Sequence, residues 1–165
     1  MEKQAHQEDP TPPDCFRLEE LEEMQTFEKQ VLAQVNYYFW INPSTADDPP
    51  YRFLFFLELV FEDERSLLLT SGEDTEAIRV SSAEALVKTA EALRVLQEKI
   101  VIQRVAAETF PLWADVQRKT LAAIQLSKTE QGLYANDALL LDFGEQQILV
   151  QLSRQEGLEV RNYVV

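Results

Sequence analysis

The chain of 165 residues contains one cysteine and one histidine. With Cys15 alone, no intrachain disulfide can form, and zinc sites built on Cys and His lack ligands. His6 lies in a polar leader, so neither a Ser-His-Asp nor a Cys-His arrangement has a base in place. Glycine is scarce too. Gly72, Gly132, Gly144 and Gly157 are scattered and match neither GxGxxG nor GxxxxGK, which argues against phosphate loops of those kinds. Apolar runs such as Phe53 to Leu57 are far too short to span a bilayer, and the opening residues Met1 to Pro10 lack the apolar core of a signal peptide. A cytoplasmic location is expected.

Positive charge is the next shortage. Lys and Arg number 15 against 29 Asp and Glu, a net charge of −14. No basic stripe interleaves with aromatics, so nucleic acid and anionic membranes are not expected partners. A basic protein is compatible with this balance. With so many carboxylates, a pair suited to glycoside hydrolysis can always be drawn, so the signal is weak and solvated surface charge is the preferred reading. Glu62, Asp63 and Glu64 form one acidic turn, and Glu73, Asp74 and Glu76 another. Calcium uses such oxygen ligands, yet the alternating D-x-D-x-D-G spacing is absent. No metal ligand set, catalytic residue or cofactor is assigned. Cys15 sits near an expected helix start, where a thiol can be activated; a small buried hydrophobe is the preferred reading.

What is present is enough apolar residue, 45%, for one core. Residues 1–13 read as a disordered leader and 14–165 as a single α+β domain. A helix is expected from Asp14 as N-cap, with Leu18, Leu21 and Met24 on one face. Phe27, Val31 and Leu32 suit a further short turn. Strands are expected at 35–41, 51–61, 66–71 and 77–80, then at 121–127, 133–143, 147–153 and 158–164. In the second of these, Phe53, Phe55, Leu57, Leu59 and Phe61 alternate against Leu54, Phe56, Glu58, Val60 and Glu62, so its first half is apolar on both faces. Between the two sets lies a linking helix over 81–100, with a capping box of Ser81 and Glu84. Its buried stripe is Leu86, Ala90, Leu93, Leu96 and Ile100. Residues 101–107 fit either helix or strand. Short connections require antiparallel neighbours, giving two four-stranded meanders.

The two sets read as one segment written twice, 27–80 and 113–164. Phe27 and Val35 match Trp113 and Leu121, since 113 − 27 and 121 − 35 are both 86. Leu57, Leu59 and Phe61 match Leu139, Leu141 and Phe143 at an offset of 82, as Asp63 matches Glu145, Ile78 Val160 and Arg79 Arg161. The extra residues of the first copy fall at 42–50. Beyond the acidic turn the apolar phase differs by one, so one hairpin loop is a residue longer than its counterpart.

The functional expectation is a non-enzymatic acidic protein that binds another macromolecule, with an inhibitor or immunity-type protein for a basic partner as one concrete form. The candidate partner-binding residues are Glu62, Asp63, Glu64, Glu73, Asp74 and Glu76, together with Tyr38 and Trp40 from the aromatic run 37–40. The alternative is a small-ligand-binding protein or carboxylate-dependent hydrolase with its site between the two repeats.

Overall fold

The computed structural model describes residues 11–42, 50–71, 77–96 and 100–163. Along the chain run α1 (Leu18–Gln25), β1 (Leu32–Asn42), β2 (Tyr51–Phe61), β3 (Ser66–Thr70), β4 (Arg79–Ser81), α2 (Ala83–Leu96), β5 (Val101–Ala106), α3 (Pro111–Ala114), β6 (Ala123–Gln125), β7 (Ala138–Asp142), β8 (Gln147–Ser153) and β9 (Gly157–Asn162). This is a mixed α+β fold around one curled, mainly antiparallel sheet.

β1 to β4 pair in sequence order, each antiparallel to the next, and β6 to β9 do the same. β5 adds to the free side of β1, which settles residues 101–106 as strand. The two sets meet at a single parallel pair, Leu54 opposite Gly157. Gly157 is obligatory there. Its φ is +83°, and a Cβ would lie 2.1 Å from the Leu54 carbonyl oxygen.

A second seam closes the curl. Lys29 N–H donates to Leu121 O (2.6 Å) and Arg118 N–H to Leu32 O (2.9 Å). Leu121 N–H donates to Gln30 O (2.9 Å) and Leu32 N–H to Lys119 O (3.0 Å). The apolar faces of both sets then enclose one core. Leu32, Leu57, Leu59, Phe61, Leu67, Leu69 and Ile78 are buried with Trp113, Leu121, Leu139, Leu141, Ile148 and Val150. Tyr37 anchors it by accepting the Trp113 indole N–H at 2.6 Å.

Several sequence expectations are corrected. Asp14 is not the N-cap; Arg17 holds that position, and the Glu20 side chain accepts its N–H at 2.8 Å. Leu18 is 65% exposed and Glu20 is buried, against the amphipathic reading, while Met24 is buried and Leu21 packs against the core as expected. The linking helix begins at Ala83 with Ser82, not Ser81, accepting the Ala85 N–H. None of its residues is fully buried. Leu86 and Leu93 are half-buried and Leu96 is 78% exposed. β6 and β7 are shorter than expected, since 126–137 is largely loop with isolated bridges. The simple alternation along β2 also fails. Tyr38 faces Phe56 but Phe39 faces Leu54, so Phe55 is an unpaired bulge residue. The bulge shifts the phase, and Phe53, Phe55 and Phe56 form a second cluster with Leu68 under α2 while Leu54 and Leu57 stay in the main core.

Candidate functional site

Acidic side chains gather where α1 meets the first strand set. Over eight residues α1 carries Glu19, Glu20, Glu22 and Glu23 and no basic residue. Glu19 and Glu20, in the first turn, favour the helix dipole; Glu22 and Glu23, in the last, oppose it. Glu20 is 8% exposed and fully engaged. Its carboxylate accepts from Arg79 (2.8 Å), Arg17 N–H (2.8 Å) and Val80 N–H (2.9 Å), fastening α1 across the end of β4. Around that joint lies a cleft of about 420 Å³ lined by Glu19, Glu20, Glu23, Val80, Ser81 and Ser82.

The β2–β3 turn is drawn to the other end of the same helix. Arg65 donates to the Thr26 carbonyl (2.9 Å) and hydroxyl (3.0 Å), and its guanidinium lies 4.5 Å over the Phe27 ring. It also pairs with Asp63 at 2.8 Å, and this hydrogen bond holds the Asp63 carboxyl below the usual carboxylate range. Glu62 and Glu64 remain exposed.

The sequence-derived candidates therefore separate. Glu62, Asp63 and Glu64 stand together on the turn. Glu73, Asp74 and Glu76 lie outside the described residues. Tyr38 and Trp40 are half-buried on the opposite face of β1 from Tyr37. Trp40 stacks on Phe53 at 4.9 Å, and Tyr38 donates to the Glu58 carboxylate at 3.1 Å, which Asn36 also reaches at 2.9 Å. Burial and the adjacent Glu58 carboxylate push the Tyr38 phenol up. These two aromatics belong to the packing beneath α2. Sequence reasoning missed the acids of α1 as site candidates. The available signal was four glutamates in one helix with nothing basic among them.

Two further features bear on chemistry. Cys15 is buried, and burial together with Asp14 pushes its thiol up, away from nucleophile activation. Where β2 and β9 diverge, a cleft of about 310 Å³ is lined by Tyr37, Phe39, Arg52, Leu54, Glu156, Leu158, Glu159 and Val160. The Arg52 guanidinium lies 4.2 Å over the Phe39 ring there. Among the described residues, no group of three or more His, Cys, Asp or Glu is placed to hold a metal ion. No helix among them is long and apolar enough to cross a membrane. No protein-family model, curated protein or solved structure matches the chain.

Proposed function

We propose that this protein is a non-enzymatic binding protein that captures a basic protein partner with the acidic surface of α1 and the β2–β3 turn. The observation that carries the reading is the clustering of carboxylates at that junction: Glu19 and Glu23 line the α1–β4 cleft, and Arg65 ties Glu62 and Glu64 to the end of the same helix. Lysine or arginine side chains suit the cleft, where Ser81 and Ser82 add neutral acceptors. Glu22 and Glu23 stand at the helix end where they lower stability, which argues for a use other than folding.

We further infer that the two strand sets descend from one duplicated segment, which sharpens where function lies. Symmetric geometry at the seam supports this. Lys29 and Arg118 both have positive φ and are separated by 89 residues (118 − 29). The four seam hydrogen bonds interconvert under the same shift, as do the helix C-caps Thr26 and Asp115. That register aligns Leu32, rather than Val35, with Leu121. The equivalence of Phe61 and Phe143 fits hairpin loops closed by Phe61 N–H to Arg65 O and by Phe143 N–H to Gln146 O, the first loop one residue longer. Leu69 faces Val80 as Val150 faces Val160, so Val80 and Ile78 correspond to Val160 and Leu158. On this alignment the acidic surface belongs to one copy. The α1 counterpart is the single turn Pro-Leu-Trp-Ala, and the acidic hairpin has become Gly144-Glu-Gln-Gln147.

Exposed charges govern association rate more than lifetime. Partners captured at low and high salt supply the ligand. Against that ligand, Glu19, Glu23, Glu62 and Glu64 all replaced by Gln should slow association about tenfold or more and flatten its salt dependence, with dissociation little changed. Association kinetics equal to wild type would defeat the proposal.

A further inference from the structure

Among the described residues the sheet has three edges where pairing could continue, and two of them are stopped. At β4 the Glu20 carboxylate takes the Val80 N–H, and at β6 the Glu28 carboxylate takes the Ile124 N–H at 2.8 Å. Each of these strands is three residues long. β5 is the third edge, six residues long, and pairs only with β1 among the described strands. Ala107 N–H donates to Val35 O, so by antiparallel alternation Val101, Gln103 and Val105 turn their backbone groups towards β1. Ile102, Arg104 and Ala106 turn theirs outward. No proline or bulge interrupts the strand, and no carboxylate caps it among the described residues, although such devices are how open edges are normally blunted. Apolar side chains remain uncovered nearby: Val101 on the strand itself, and Val95 (83% exposed) and Leu96 at the end of the preceding helix.

We propose that β5 is a dimer seam, pairing antiparallel with β5 of a second copy about a two-fold axis at Gln103. The register follows from backbone direction and charge. An axis perpendicular to the sheet keeps each side chain on its own face, so it must pass through a residue. Centred on Gln103, the outward groups of Ile102 meet those of Arg104 in the other copy, forming hydrogen-bonded pairs on both sides of the axis. Val101 falls opposite Val105, and the two Gln103 amides meet in the closer, non-hydrogen-bonded position. Centred on Arg104, two guanidinium groups would oppose each other, which is destabilising. A centre on Ile102 would place Arg104 opposite Ile100, which precedes the strand.

Each chain carries a net charge of −14, so a second copy is best placed at an edge away from the acidic surface. The order β5-β1-β2-β3-β4 places three strands between β5 and the Glu20-capped edge that carries α1, keeping the acidic surfaces of the two copies apart. The strand's only charge is Arg104. The result joins the two nine-stranded sheets through β5, with both α2 helices on one side.

Sedimentation equilibrium at micromolar concentration should give twice the 19.0 kDa chain mass. Gln103→Glu and Gln103→Lys should each sediment as monomer while keeping a cooperative thermal transition, and an equimolar mixture should recover the doubled mass. Gln103→Cys should crosslink in high yield on oxidation, because the native Cys15 is buried and cannot compete. A monomeric wild type would overturn the proposal and leave the edge to an extended peptide from elsewhere. A dimer indifferent to both charge substitutions would place the interface on another surface and overturn it equally.

Discussion

The two faces of β2 are built from similar residues but packed to different degrees. Its inner face sends Leu57, Leu59 and Phe61 into a core closed on every side, where each is at most 1% exposed. Its outer face carries Phe53 and Phe56, also buried, but beneath a helix that completely buries none of its own residues. β7 shows what the outer layer adds. Its inward Leu139 and Leu141 are nearly as buried as the inward residues of β2, while its other positions are only half-covered. The core between the strand sets is one structural unit, and α2 is a lid over one side of it.

The largest test of that division is at the junction between the sets. Gly157→Ala places a methyl group against the Leu54 carbonyl and forces a left-handed φ on alanine, and should cost about 3 kcal/mol or more in urea unfolding. Gly144→Ala, also at positive φ but with nothing within 4 Å of the added carbon, should cost only about 1–2 kcal/mol. Equal losses would show that the close β2–β9 approach contributes little.

Next in size comes the contrast between core and lid. Leu59→Ala should cost about 2–5 kcal/mol, because the cavity lies in a packed interior. Leu93→Ala on α2, whose leucine is already half in solvent, should cost about 1 kcal/mol. Matching losses in denaturant titrations would make α2 part of the core and dissolve the comparison.

The smallest effect is on pH. Burial and the Glu58 carboxylate raise the folded-state value of Tyr38, so the fold holds this proton more tightly than the unfolded chain does. That stabilisation is complete below the unfolded value near 10 and is lost as pH rises through the higher folded value. Tyr38→Phe should therefore make stability decline less steeply above about pH 10. Tyr37, raised by burial against the Trp113 contact, will sustain the remaining decline. An unaltered slope in melting temperature against pH would show that Glu58 and the outer face exert no such hold.

Most of the strand plan was legible because it depends on local chemistry: branched and aromatic runs between turns gave β2 and β8 with their observed bounds and β1 within a few residues. The candidate site was only half legible. The hairpin acids stand out as a run, but nothing local says that Arg65 clamps them to the end of α1, since its partners on Thr26 lie 39 positions away. The burial of Glu20 likewise depends on Arg79 and Val80, which approach only through tertiary packing.

The sequence by itself determined an α+β chain with alternating apolar strands, one cysteine, one histidine and a heavy excess of carboxylates. These follow from composition and from periodicity set by backbone geometry. Only the tertiary structure decided which face each residue occupies beyond the Phe55 bulge, because one unpaired residue reverses every later assignment. It also decided which strand edges are closed: a carboxylate from α1 reaches β4, Glu28 reaches β6, and no such group among the described residues reaches β5. Those are contacts between segments far apart in the chain, fixed by how the sheet curls and invisible to any local pattern.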